Sequence, residues 1–402
     1  MAMSDRMKVV MMATFLDPDN KAKAGGLSIH AFELSKSLSK SGDLDLTLVT
    51  YGDSNKIRLM EGYRFIMIKK GHSYKYLPLI PLLRLMRVMQ KEKPDVVHIQ
   101  GTTFTYFLLY SLAFVPRRTP RVATVHGRPA QEGIVSLWWS ESSLKAKLIG
   151  WGEGQISRRF DLILCVTARL RDEWKTKFGA HSKADYQVIT NGVDPDRYRE
   201  TGPEASRTKP DAEQLVVVSA KELIPPNGQE YLISAFPAVV RKVPSARLLM
   251  AGEGTDRARL QRIAAETGVN DRIGFLGRIA NKSMPEFLSR ASVFVAPSVR
   301  MEQVEDGSSI VVLEAMASGI PVVASNVGGL KDIIVDGKTG VLVPERDPGA
   351  IASAILDLYN HPEKARAMGQ EGRRYVLREM TWDQLALRHR QLYCDMLAKR
   401  RH

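Results

Sequence analysis

The chain has 402 residues, 44% hydrophobic and 25% charged, which excludes a disordered, collagenous or fibrous protein and leaves room for about two to three domains with sizeable cores. Its two cysteines, Cys165 and Cys394, make neither a disulfide framework nor a zinc site, as expected of a reducing compartment. The net charge of +14 is uneven: residues 1–195 hold 29 basic and 18 acidic side chains, net +11, and residues 196–402 hold 29 and 26, net +3. The first half is therefore expected to meet something anionic.

In chain order, Lys8–Phe15 reads as a strand and Gly26–Lys40 as a helix. Gly25-Gly26 opens that helix, where a backbone can approach a phosphate or a sugar. A simple turn is the commoner reading of such a pair, and His30 one turn later reads equally as a core histidine. Asp45–Thr50 is a further strand. The stretch from Tyr74 to Pro94 follows. After Pro81 its residues Leu82, Leu83, Leu85, Met86 and Met89 fall mainly on one helical side, with Arg84, Arg87, Lys91 and Lys93 supplying charge. Such a helix can lie among lipid headgroups, although a core helix with a solvated basic face is the commoner case. The run Phe104–Val115 is too short and too polar to span a bilayer, and no secretory signal pattern precedes it. A cytoplasmic protein is expected, with the inner face of the membrane as a contact surface. No aromatic–basic pattern points to nucleic acid.

Asp95–Gln100, Arg121–Val125, Leu162–Val166 and Gln187–Ile189 read as buried strands. His126 directly follows Arg121–Val125. A polar imidazole at a strand's carboxyl end suits sugar recognition or charge stabilisation, and a loop-capping role is the plainer alternative. Residues 194–214 are polar and poor in apolar side chains, which marks a linker. The rhythm restarts with strands at Leu215–Ser219, Ala246–Ala251, Ile273–Leu276, Val293–Ala296, Val322–Ala324 and Gly340–Val343. Helices are expected at Gln229–Val240, Asp256–Thr267, Met284–Arg290, Ser309–Ala317 and Pro348–Asn360, with a charged helical tail over Pro362–Arg401. Gly307, Ser308 and Ser309 open the Ser309–Ala317 helix and would offer free N–H groups to a diphosphate. Asp306 precedes it, and Glu314 in its second turn could bind ribose hydroxyls. An N-cap Asp and a solvated Glu are the alternative. Two α/β halves imply two doubly wound domains facing across a cleft, with ligands at the strands' carboxyl ends.

The strings AGGLSIHAFELSKSL, PDVVHIQG, ATVHG, VITNGVD, LLMAGEG, FLGRI, SVFVAPS, LEAMASGIPVVASNVGG and DGKTGVLV carry a resemblance that runs nearly end to end. The chain resembles the retaining GT-B glycosyltransferases of family 4, the group 1 glycosyl transferases. The resemblance implies a Rossmann-like acceptor domain at 1–195, a linker at 196–214, a Rossmann-like nucleotide-sugar donor domain at 215–380, and a final helix, 381–402, packing back on the first domain. It implies a hexosyltransferase with a nucleoside-diphosphate sugar as substrate and no metal or other cofactor. Glycan, lipid-linked or phosphorylated acceptors would follow, in polysaccharide or glycoconjugate biosynthesis. By position, His126 would contact the donor sugar and Glu314 the ribose. Gly307, Ser308, Ser309 and Ile310 would present backbone N–H groups to the sugar and diphosphate. Gly26 would lie near the phosphate, and Arg278-Ile279 would touch the base. Asp306, His126 and Glu314 form the catalytic set.

Two departures stand out. Asp306 occupies the first position of the family's paired glutamates, one methylene shorter. In the segment SAKELIPPNGQEYL, Glu222 and Asn227 stand where the family has Arg and Lys against the diphosphate. Charge-assisted hydrogen bonds contribute about 1.5–3 kcal/mol each, so losing two would cost two to four decades of affinity, roughly. Lys221 is the nearest substitute, with Arg278, Arg300 and Lys331 behind it. A catalytically degenerate partner subunit that binds glycan, membrane or another transferase is the rival reading. Epimerisation or phosphorolysis on the same fold ranks last.

Overall fold

The computed structural model describes residues 6–13, 26–69, 79–101, 118–127, 144–198, 214–301 and 309–401. They fall into two compact units: Met1–Thr190 with Trp382–His402, and Asn191–Thr381. The sequence reading put 191–195 in the first domain and began the linker at 196, whereas 191–198 belong to the second unit. Val193 donates its N–H to the carbonyl of Met380 at 3.0 Å and bridges Thr381. Tyr198 is buried in the second unit's core. Residues 199–213 of the linker lie outside the described residues.

In the first unit the chain runs β1 (Met7–Ala13), α1 (Gly26–Ser39), β2 (Leu44–Gly52), β3 (Lys56–Met60), β4 (Tyr63–Lys69), α2 (Leu79–Glu92), β5 (Val96–Gln100) and β6 (Arg121–Val125). It continues through α3 (Leu144–Arg159), β7 (Leu162–Cys165), α4 (Ala168–Phe178) and β8 (Asp185–Val188). The sheet order is β3-β4-β2-β1-β5-β6-β7-β8. Every pairing is parallel except that of β3 with β4, which is antiparallel and lies at the sheet's edge. The central strands are apolar without alternation because helices cover both faces. Val10 and Met12 enter one core, and Val9, Met11 and Ala13 the other. Each of these Val and Met side chains stabilises the fold by about 1.5–3 kcal/mol.

In the basic helix α2, Leu85 and Met89 are buried, but Leu83 is 54% exposed. Leu83 thus leaves the apolar side on which the sequence reading placed it. Among the described residues, no helix is long and apolar enough to cross a membrane.

The second unit contains β9 (Val216–Ala220), α5 (Gln229–Lys242), β10 (Arg247–Ala251), α6 (Arg257–Glu266), β11 (Ile273–Gly277), α7 (Met284–Leu288) and β12 (Val293–Ala296). It continues with α8 (Ile310–Ala317), β13 (Val322–Ser325), α9 (Leu330–Ile333), β14 (Val341–Val343), α10 (Pro348–Asn360) and α11 (Pro362–Glu379). Its sheet is parallel, in the order β11-β10-β9-β12-β13-β14. This is the dinucleotide-fold order 3-2-1-4-5-6, whose direction reverses between β9 and β12.

The last helix, α12 (Trp382–Arg401), returns to the first unit. Trp382, Leu385, Ala386 and Tyr393 join the core beneath β1, β2 and β4. Ion pairs hold its outer face: Lys40 with Asp383 at 2.9 Å, Arg390 with Asp43, and Arg400 with Asp161 at 2.6 Å.

Candidate functional site

In the second unit, the loops leaving the carboxyl ends of β9, β10, β11 and β12 are sewn together at the point where the strand order reverses. The carbonyl of Pro226 accepts the Val299 N–H at 2.9 Å, and the carbonyl of Gly277 accepts that of Gly252 at 2.8 Å. Lys221 donates its ammonium to the buried Ser298 hydroxyl at 2.8 Å, tying the β9 loop to the β12 loop. Two glycines make this closeness achievable. Gly228 has φ 64°, and a Cβ there would collide with the Pro297 carbonyl oxygen. Gly252 has φ 144°, and a Cβ there would collide with the Lys221 carbonyl oxygen. Only a residue without a side chain fits such backbones at such distances.

The two departures from the family string take definite places in this rim. The Glu222 side chain is exposed, and its backbone carbonyl accepts the Asn227 amide at 2.8 Å and the Gln229 amide at 2.9 Å. Asn227 is itself buried, so it acts as an internal staple of the β9 loop. Arg278 and Arg300 are exposed on neighbouring loops, and the Arg300 N–H donates to Glu345 at 2.6 Å. Ile279 packs partly into the core beside them.

Helix α8 begins at Ile310, with Ser309 as a buried N-cap that makes no side-chain capping bond. Asp306, Gly307 and Ser308 lie outside the described residues. Glu314 is only 8% exposed, so the solvated-glutamate alternative does not hold. The Tyr198 hydroxyl donates to its Oε1 at 2.6 Å. Burial pushes the Glu314 carboxyl up to about 7, against the downward pull of the Tyr198 hydrogen bond and of Arg197. Tyr198 is held in turn by Arg373, which donates to the Tyr198 carbonyl at 2.7 Å and also to that of Ala317. Sequence reasoning missed Tyr198 because it sits in a stretch taken for linker. Its signal was being the only aromatic residue there.

In the first unit the strand order reverses between β1 and β5. Gly26 opens α1 after β1, Gln100 ends β5, and His126 follows β6. His126 is half-buried, with Nε2 at 3.2 Å from Gln100 Oε1. Its ring meets that of His30 edge-on at 4.6 Å, and His30 meets Trp382 edge-on at 5.1 Å. Burial pushes the His126 imidazole down to about 4, so it is neutral at pH 7. His30 is wholly buried. Among the described residues, no group of three His, Cys, Asp or Glu side chains is placed to hold a metal ion.

The predicted residues thus form two sets. Lys221, Arg278, Ile279, Ser309, Ile310 and Glu314 belong to the second unit, and Gly26 and His126 to the first. A helix N-terminus beside a glycine-enabled rim and a buried carboxylate makes a surface suited to a diphosphate joined to a polyhydroxylated group.

Comparisons with known proteins agree with this class. The model of glycosyl transferases group 1 matches residues 203–375, and that of glycosyltransferase family 4 matches residues 24–197. The chain belongs to these group 1 glycosyltransferases of GT-B fold. It is 31% identical over 251 residues to a GDP-mannose-dependent alpha-(1-6)-phosphatidylinositol monomannoside mannosyltransferase of Mycobacterium tuberculosis (strain CDC 1551 / Oshkosh). That match covers 59% of this chain and 65% of the relative, so the chain spans less than two thirds of it. Sucrose-phosphate synthase from Thermosynechococcus elongatus superposes with a TM-score of 0.76 at 22% identity, covering 98% of this chain and 100% of that one. Anabaena Alr3699/HepE, solved in complex with UDP, gives 0.72 at 18% identity, covering 97% and 100%. These two structures share the fold.

Proposed function

We propose that the protein is a retaining, metal-independent glycosyltransferase. It takes a sugar from a nucleoside-diphosphate donor bound by the second unit and passes it to a glycan, lipid-linked or phosphorylated acceptor. The observation that carries this reading is the rim at the β9/β12 reversal, with the α8 N-terminus and Glu314 beside it. The positive end of α8 stabilises the leaving diphosphate as its charge grows. Glu314 offers Oε2 to a ribose hydroxyl while Tyr198 holds Oε1. Asp306 holds the donor sugar, and in the first unit neutral His126 offers a hydrogen bond to a sugar hydroxyl. With Asn227 used as a staple, Lys221, Arg278 and Arg300 supply the positive charge toward the phosphates. The basic first unit favours an anionic or membrane-borne acceptor at the inner face of the membrane. The M. tuberculosis relative named for GDP-mannose and the fold relative solved with UDP support the donor class and leave the base to experiment.

Calorimetric titration with UDP, GDP and ADP, and with their sugars, tests the reading. Micromolar binding of one nucleotide, lost in Glu314→Ala, is the expected result. No binding of any of the three at millimolar concentration would overturn it and favour a partner subunit without donor chemistry.

A further inference from the structure

A chain of buried polar side chains runs from α12 through the first unit's sheet to His126. The Tyr393 hydroxyl lies 2.6 Å from His98 Nδ1. His98 Nε2 lies 2.7 Å from the Thr124 hydroxyl and 3.3 Å from the Gln100 side-chain nitrogen. Gln100 Oε1 then lies 3.2 Å from His126 Nε2. Tyr393, His98, Gln100 and Thr124 are all buried. The His126 ring also meets that of His30 edge-on, and His30 in turn meets Trp382, which belongs to α12.

The protons along this chain follow from its acceptors. A carbonyl oxygen accepts only, so His126 Nε2 carries the hydrogen toward Gln100. The Gln100 amide and the Thr124 hydroxyl both donate to His98 Nε2, so the His98 proton is on Nδ1 and goes to Tyr393. His98 is packed against the ring of His389 at 5.6 Å. Burial first, and then His389 and His126, hold it well below the ordinary histidine range, so it takes part as a neutral ring. A chain of neutral imidazoles and one amide has one other consistent arrangement, with the amide turned over and every proton reversed. That arrangement puts the His126 proton on Nδ1.

The structure assigns to Gln100 and Tyr393 the role of positioning residues that fix which nitrogen of His126 carries its proton, so that the last helix of the chain sets the hydrogen-bonding sense of the imidazole at the carboxyl end of β6. His126 then shows a lone pair at Nδ1, an acceptor for a substrate hydroxyl. This assignment rests on the proposed function only for what His126 touches; the tautomer itself does not depend on it.

Nitrogen-15 histidine spectra of the full-length protein read the tautomer directly, with His126→Gln identifying the resonances. In the unsubstituted protein the His126 proton is expected on Nε2. Gln100→Leu should leave a mixture of both tautomers. Tyr393→Phe removes the acceptor for His98 Nδ1, so the His98 proton moves to Nε2, the Gln100 amide turns over, and the His126 population shifts toward Nδ1. Arg390→Gln cuts the helix's outer ion pair without touching the chain of hydrogen bonds and should leave the spectrum unchanged. An Nδ1 proton in the unsubstituted protein, or an unmoved His126 signal in Tyr393→Phe, would overturn the assignment. In sugar transfer, Tyr393→Phe should lower kcat about tenfold with KM within about twofold. If His126→Ala leaves transfer intact, the catalytic reading of His126 fails, and the spectra still decide the tautomer.

Discussion

The two units meet their chemistry in opposite ways. In the first, the candidate site residue is a neutral imidazole whose depressed pKa comes from burial and whose partners are other neutral side chains. In the second, it is a carboxylate whose raised pKa comes from the same cause. Burial favours the uncharged form of both, and this turns the histidine and the glutamate in contrary directions on the pH scale. Their stabilities should therefore respond to pH with opposite sign.

The largest expected effect tests whether the second unit's rim is a built surface. Gly228→Ala should destabilise that unit by about 3–5 kcal/mol, since a methyl meets the Pro297 carbonyl on a backbone that alanine rarely adopts. Hydrogen exchange resolved by unit should show the loss in β9 and β12 with the first unit protected as before. Equal loss in both units would erase the comparison.

Next comes pH. Glu314 shifts from 4.5 to about 7 on folding, so the native state holds a proton that the unfolded chain has released. Its contribution is present below about pH 4.5 and lost as pH rises through about 7, amounting to about 3 kcal/mol. Glu314→Gln should remove that loss, read as a flatter denaturation midpoint of the second unit between those values. His389 in the first unit shifts from 6.5 down to about 4, also through burial. Its contribution is present above 6.5 and lost as pH falls through about 4, again about 3 kcal/mol. Half-buried His126 adds a smaller part because water screens it. His389→Leu should make the first unit less sensitive to acid. If both units lose stability in the same direction, burial is not what sets these groups.

A smaller effect sharpens the carboxylate side. Tyr198→Phe removes the hydroxyl from Glu314 Oε1 and should weaken nucleotide binding about tenfold, in line with a hydrogen bond to a charged group. The pH at which binding strengthens should also move upward, because the bond holds the Glu314 value down. Unchanged affinity and midpoint in calorimetry would make Tyr198 a packing residue only.

Much of this arrangement was legible in the sequence, because buried parallel strands are apolar runs whatever their tertiary surroundings. Arg121–Val125, Val293–Ala296 and Pro348–Asn360 were read with their observed limits. The β3–β4 edge was not: Lys56, Ile57, Arg58 and Leu59 alternate, but Ile57 and Leu59 are exposed instead of entering a core. Helices α3 and α4 were missed as well; α4 buries Leu170 and Trp174 alone in an otherwise charged stretch. Of the site, His126 and Glu314 could be named from strand ends and helix starts. Gln100, His98 and Tyr393 could not, because their partnership joins residues 295 positions apart and leaves no local trace. Asn227 looked like a lost cation, and only the fold shows it closing the loop through the Glu222 carbonyl.

The return of α12 to the first unit has a consequence for how the protein is made. The sheet that is synthesised first lacks Trp382, Leu385 and Tyr393 until α12 is translated. At about 5–20 residues per second, the wait from Thr190 to Trp382 is roughly 10–40 s. During it the second unit is made, from Asn191 to Thr381, so it has all its own strands before α12 emerges, while the first still stands with an uncovered apolar face. Of the two units, the one whose sheet is made earlier is completed later, and a ribosome that stops before Trp382 releases a chain whose second unit is whole and whose first unit is open.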